Sequence, residues 1–531
     1  MTLNRRGASP RPAVALAAVV LAGSLLAACG GTSTPSSGAQ ASESPVPGGT
    51  LTFAMSNLTP TLDPTVLAGG GTVGSIELQA IYDTLMVFDE KTGTYVGHTA
   101  QSLTPNADFT VWTLKLKPDI KFTDGTAYDA DAVKFNIDRN IAPTSKASDK
   151  ALLTTFLAST TVVDPTTVTF TLKQGWAQFP YVLSDEAGMI ASPKQVQALG
   201  ANFVSTVSPA GAGPFKMTSY KPGSQLSVAR NDSYYGTKPY LDAINFVAPP
   251  ADTQVAEKNV AGKQFDVAYT TDSLAGQSAK NDGLDVLTVP SNADLVVIMN
   301  SAKGSPLNNV AVRQAVAAAI DPQQINTRVY QGALQLSPNL LTPGSVYDPK
   351  VAGPKFDLDK AKSLVTQAKA SGFDGKVTLT VGTDPTSTNW ATTMKAMLDR
   401  AGFETSLIPM PSANIVSQVL VKKDFQMASW GMSFDDSNAY FRLFQSFNSA
   451  APRYGYSSPA MDAALAKLQV ASSKADVTAA MGDISKILNQ DVPFLSLAYG
   501  THMIMSNKNV HGLVLTSNQA VLLGGVWVSK S

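Results

Sequence analysis

An α/β fold is predicted from three observations. Strand and helix patterns alternate through the second half of the 531-residue chain. Asp108–Arg139 packs strand, turn, strand and helix into one short unit. Hydrophobic residues make up 44% of the chain, enough for large cores, while charged residues make up only 15%, against a typical value of about 25%. The length suggests roughly three units rather than one.

Residues 1–28 read as a targeting segment. Arg5, Arg6 and Arg11 precede the apolar run Ala13 to Ala28, and Leu26-Ala27-Ala28-Cys29 looks like a bacterial lipobox. Cys29, the only cysteine, is the predicted lipidation site, and it rules out a disulfide within the chain. The competing reading is a plain signal peptide with an incidental cysteine. Basic and acidic residues number 40 each; removing three arginines and no acid with residues 1–28 leaves 37 against 40, a charge of −3. With no long basic tract, no nucleic-acid partner is implied. Residues 29–47 are rich in Ser, Thr, Pro, Gly and Ala and read as a flexible tether.

Thr50–Met55 is predicted as the first strand. Gly69, Gly71 and Gly74 match a dinucleotide fingerprint formally, but they lack a preceding strand and a correctly placed acid, so a loop before a helix is the simpler reading. In the Asp108–Arg139 unit, Trp112, Leu114 and Leu116 alternate with Val111, Thr113 and Lys115, as a half-buried strand requires. Ile120 and Phe122 continue as a second strand, Asp124-Gly125 turns, and Asp129 or Asp131 caps a helix carrying Val133, Phe135 and Ile137. Thr167–Leu172 is a strand, and Pro222-Gly223 turns a hairpin whose return strand is Gln225–Ala229. Further strands are predicted at Ile244–Val247, Phe265–Ala268 and Leu295–Met299, with a helix at Asp252–Val260. Asn308 or Asn309 caps a helix over Val310–Ile320, and Asp321-Pro322 starts the next. Helix Phe356–Ala370, strand Val377–Val381, helix Trp390–Arg400, strand Thr405–Ile408, strand Phe425–Trp430, helix Met461–Leu488 and strand Phe494–Ala498 follow.

Five blocks in this order resemble the family 5 extracellular solute-binding proteins, the dipeptide, oligopeptide and nickel receptors of ABC importers. They are the Asp108–Arg139 unit, Ala210–Lys216 (AGAGPFK), Arg230–Tyr235 (RNDSYY), Val312–Ala315 with Ala319–Asp321, and Asp359–Lys362. The resemblance spans most of residues 48–531. It implies a two-lobe, Venus-flytrap fold with an extra domain inserted in the first lobe. On that pattern residues 48–78, 209–295 and 495–531 form the first lobe, 79–208 the insertion and 296–494 the second lobe. Chain crossings are placed near Ser291–Asn300 and Asp491–Gly500.

The resemblance also implies a function: a monomeric, lipid-anchored receptor outside the cytoplasm that closes on a small ligand and passes it to an ABC permease, without cofactor or covalent chemistry. A di- or oligopeptide is the commonest ligand in the family; a metal chelate, a sugar, another small molecule or a ligand-sensing role stays open. In peptide-binding members an acid in the loop after the Phe425–Trp430 strand pairs with the ligand's α-ammonium group. Matching Trp430 puts Ser433 at that position here, with Asp435 and Asp436 just beyond it. Either aspartate is a candidate anchor; the alternative is that both are solvated or capping residues. Trp390, Trp430 and Tyr499 are candidate aromatic walls, with core packing as the competing reading. Asn57, Arg453 and Asn300 are candidate polar contacts. His98, His502 and His511 lack metal-ligand spacing, so no metal is predicted. A secreted hydrolase is the least supported reading, because the chain contains no G-x-S-x-G and no H-E-x-x-H.

Overall fold

The computed structural model describes residues 44–55, 58–67, 75–205, 209–248, 253–518 and 520–529. Pro45–Ser531 forms one unit; of Met1–Ser44 only Ser44 is described. Cys29, Asn57 and the Gly69–Gly74 motif therefore lie outside the described residues.

One large mixed sheet organises the chain. Its strands run in the order Glu404–Pro409, Lys376–Val381, Met427–Trp430, Asp285–Met299, Phe494–Ser506, Val267–Thr270, Thr50–Ala54, Ala243–Val247, Gln225–Arg230 and Phe215–Lys221. The two central strands are much longer than the rest. Asp285–Ser291 pairs with Gly500–Ser506, and Leu295–Ile298 pairs with Phe494–Ala498. The sheet on one side continues from Phe494–Ser506 through Val267–Thr270, and on the other from Asp285–Met299 through Met427–Trp430. These two strands thus join two half-sheets, each with its own core. Leu51, Phe53, Tyr82, Phe215, Phe246 and Ile504 belong to the first; Val297, Val312, Leu379, Trp390, Met394 and Leu497 belong to the second. This is the two-lobe periplasmic-binding architecture that the family resemblance implies.

Between Ala54 and Phe215 a separate four-stranded antiparallel sheet is inserted, in the order Ala100–Pro105, Val111–Leu116, Thr167–Leu172, Leu157–Asp164. Trp112, Leu114 and Leu116 are buried as the alternation requires. Asp129 Oδ1 accepts from Ala132 N at 2.9 Å and starts the Ala130–Ile141 helix. The expected strand at Ile120–Phe122 is reduced to one bridge, Lys121 to Ala127, because the Asp124-Gly125 turn follows at once; Gly125 takes φ 83°.

The insertion also packs on the second half. Phe156 and Trp176 from the insertion meet Tyr440 and Phe444, with ring centroids 6.2 Å (Phe156–Tyr440), 6.3 Å (Phe156–Phe444) and 6.5 Å (Trp176–Tyr440) apart. Ala177 N donates to Gln469 O at 2.9 Å, and Tyr347 OH donates to Gly93 O at 2.8 Å. The two halves are therefore in contact through the insertion as well as through the strands that join them.

Several elements differ from expectation for local reasons. The Trp390 helix begins at Pro385, because Asp384 caps it by accepting from Ser387 N at 2.9 Å and proline suits the first turn. Met461–Leu488 is two helices, Pro459–Val470 and Lys474–Asp491, each with a serine cap, Ser458 and Ser473. The last predicted strand extends to Ser506 and is followed by four two-residue strands.

Candidate functional site

The joint between the half-sheets is irregular, and its polar groups gather there. Register breaks between Ser291 and Leu295, and Ala293 takes φ 50°. Such a bulge leaves backbone groups unpaired within the ladder. The loop after Trp430 supplies their partners. Asn292 N donates to Phe434 O at 2.7 Å, Phe434 N to Asn292 O at 3.2 Å and Met432 N to Ala293 O at 3.1 Å. Ser433 itself has φ 41°, an uncommon conformation for a residue with a side chain, held by this docking.

The docking brings Ser433 Oγ onto Asp294, to which it donates a short hydrogen bond. Asp294 is half-buried. Burial raises its carboxyl above the usual carboxylate range, and the Ser433 hydroxyl partly offsets this. The carboxyl lies against Gly500: a Cβ there would fall 2.5 Å from both Asp294 Cγ and Oδ2. Burial is the main reason the Tyr269 and Tyr330 hydroxyls are pushed up; Asp294 adds to the shift at Tyr269, and Asp384 and then Asp294 add to it at Tyr330. Tyr269 OH is 2.6 Å from His502 Nδ1, and the two rings stack. Burial lowers His502 to about 4, so its ring is neutral near pH 7. His502 Nε2 is buried with no hydrogen-bond partner among the described residues.

The other predicted residues of this loop turn elsewhere. Asp435 is buried and accepts from Ser437 Oγ; burial is the main cause that raises it to about 7, with Asp436 and Glu90 adding to the shift. Asp436 accepts from Ser345 Oγ at 2.6 Å and Val346 N at 2.7 Å, and Asn292 Nδ2 lies 3.5 Å away. Both carboxylates thus brace the loop. Trp430 is partly buried against the core shared with the insertion. Trp390 is 2% exposed, inside the second-half core. Arg453 Nη1 donates to Gln445 Oε1 at 2.6 Å, and burial lowers its guanidinium. Asn300 caps a turn, donating to Phe425 O at 2.8 Å and accepting from Ala302 N at 3.1 Å. Tyr499 follows the strand's alternation to the face opposite Gly500 and lines a cavity of about 260 Å³ with Lys280, Gln335 and Thr501. The loop thus brings Ser433, Asp435 and Asp436 to the joint, while Trp390 sits in the second-half core.

Sequence reasoning missed Asp294, Tyr269, Tyr330 and His502. The available signal was an acid beside an apolar strand, since Asp294 immediately precedes Leu295–Met299. A buried acidic cluster was also missed: Asp149, Asp185 and Glu186 hold carboxylate oxygens within 4.8 Å of one another. Burial raises Asp149 well above its usual range and Asp185 to about 6, while Arg442 from the second half lowers both. The three histidines lie apart. His98 Nδ1 is 2.5 Å from Asp83 Oδ1, His502 meets Tyr269, and His511 stacks on Trp527.

Comparison with known proteins agrees with this architecture. Residues 94–452 match the model of bacterial extracellular solute-binding proteins, family 5 Middle. The glutathione-binding protein GsiB of Shigella dysenteriae is 26% identical over 434 residues, covering 78% of this chain and 82% of that protein. The periplasmic binding protein DppA of Helicobacter pylori, solved with the peptide STSA, superposes with a TM-score of 0.72 at 20% identity, covering 91% of this chain and 99% of that one. NikA of Brucella suis, solved with Fe(III)-EDTA, gives 0.74 at 22% identity, covering 91% and 100%. The family match runs over well more than half of the chain, from just ahead of the inserted sheet to beyond the helix Ala439–Phe447, and the chain belongs to the family 5 bacterial extracellular solute-binding proteins.

Proposed function

We propose that this protein is the extracytoplasmic receptor of an ABC importer, anchored to the membrane by lipid on Cys29, and that it captures a small peptide between its lobes for delivery to the permease. The observation that carries the reading is the joint. Two half-sheets share Asp285–Met299 and Phe494–Ser506, and a polar constellation sits where the register breaks. Two bodies joined by two strands close around a ligand by bending at those strands. The first lobe is assigned to 48–78, 209–295 and 495–531, the insertion to 79–208 and the second lobe to 296–494. The protein binds and releases without covalent chemistry.

A peptide is favoured because GsiB is named for glutathione and the DppA structure holds a peptide. Ser433 at the family's amine-pairing position favours a second reading, a non-peptide ligand such as a metal chelate, as NikA holds. Uptake of a labelled mixture of di- and tripeptides by cells with and without the gene separates the two. Uptake that falls on deletion supports the peptide receptor, and unchanged uptake contradicts it. Cys29→Ala should move the protein from the membrane fraction to the soluble one.

A further inference from the structure

We propose that Asp294, on the strand joining the two lobes, is the carboxylate that pairs with the ligand's ammonium group, taking the place of the acid that is missing at position 433. The inference rests on the peptide reading above and names the group of that site that selects a cation.

Four observations carry it. The loop position where peptide-binding relatives carry the acid is Ser433, and the side chain lying on Ser433 is Asp294. A carboxylate has thus reached nearly the same place from a different strand. Ser433 is the only hydrogen-bond partner of Asp294 among the described residues, and it engages Oδ1; no Lys, Arg or His pairs with the carboxylate there. A half-buried carboxylate without a cation is costly unless a ligand supplies one. Glycine at position 500 lets the carboxyl lie directly against the neighbouring strand, since any side chain there would run into Asp294 Cγ and Oδ2. The loop's own acids already serve other donors: Asp435 holds Ser437 Oγ, and Asp436 holds Ser345 Oγ and Val346 N.

Asp294 is also placed to couple binding to closure. It lies at the register break between the lobes, and its serine partner belongs to the second lobe's loop. An ammonium group held there contacts the joint itself, where a hinge bends.

The test uses an equimolar mixture of di- and tripeptides, the same mixture N-acetylated, and glutathione with and without N-acetylation. Binding to the purified protein is read by native mass spectrometry and calorimetry. The wild type should retain free-amine peptides and reject the acetylated ones. Asp294→Asn should lose at least about tenfold in affinity for the free-amine set, as removal of a charged, partly buried contact does. Ser433→Ala, Asp435→Asn and Asp436→Asn should lose much less. Asp294→Asn combined with Ser433→Asp should restore the preference for a free amine, which also guards against a variant that merely misfolds. Full affinity in Asp294→Asn, or equal binding of acetylated peptides by the wild type, overturns the assignment while the peptide receptor stands. A wild type that binds none of these probes overturns the peptide reading, and this inference with it.

Discussion

Asp435 offers a test that needs no ligand. Its carboxyl is buried, accepts from Ser437 Oγ and sits near Asp436 and Glu90. Its pKa is raised to about 7, chiefly by burial and further by those two acids. The sign follows from linkage: a carboxyl raised in the folded state contributes stability at low pH that is lost as pH climbs from about 4 through about 7. A shift from 3.8 to about 7, at about 1.4 kcal/mol per unit, sets an upper bound of about 4 kcal/mol near pH 8. Local relaxation and water entry reduce this to roughly 1–2 kcal/mol. Asn at this position keeps an oxygen for Ser437 and never ionises. Asp435→Asn should therefore exceed the wild type by less than about 1 kcal/mol at pH 5 and by roughly 1–2 kcal/mol at pH 8. Denaturant unfolding at both pH values, followed by fluorescence, measures the difference directly. A variant with the same pH slope as the wild type, or one destabilised more at pH 8 than at pH 5, refutes the reasoning.

Other predictions follow from the same geometry. Glu77 is fully buried and raised to about 7 by desolvation, and Asp185 to about 6, so the ligand-free protein should melt several degrees higher at pH 5 than at pH 8; a flat profile in a thermal melt contradicts this. Arg139 pairs with buried Asp63 at 2.5 Å, so Arg139→Ala strands a carboxylate and should cost about 3 kcal/mol in denaturant unfolding. Phe444 meets Phe156 across the contact between the insertion and the second half, and Phe444→Ala should weaken ligand binding about five- to tenfold through lost closure, without touching the ligand. Small-angle scattering on that variant should show a larger ligand-bound radius than the wild type, and an identical radius with identical affinity contradicts the closure contact.

The sequence carried the fold wherever the physics was local. Alternation placed Trp112, Leu114 and Leu116 inward, and Asp129, Asn309 and Asp321 cap the helices that their positions implied. What it could not carry was set by distant partners. Asp285–Ala293 shows no alternation of apolar and polar residues, and only pairing with Thr501–Ser506 makes its first residues a strand. Trp390 reads as an aromatic wall until the helix is seen to begin at Pro385, which turns the indole into the core. The loop after Trp430 was legible as a site through the family's pattern, yet its aspartates bind Ser437, Ser345 and Val346 in the fold. Asp294, Ser433 and Gly500 are far apart in the chain, and a bulge in one strand brings them together. A search for acids confined to the loop could not find a carboxylate arriving from the joint.

The most direct measurement of the central claim is native mass spectrometry of the protein as purified, followed by denaturing extraction of whatever it retains. A peptide receptor should release a set of peptide masses with free amino termini, all together when the lobes unfold. A single sharp mass of a compound with neither a peptide bond nor an ammonium group would contradict both the peptide receptor and the role assigned to Asp294.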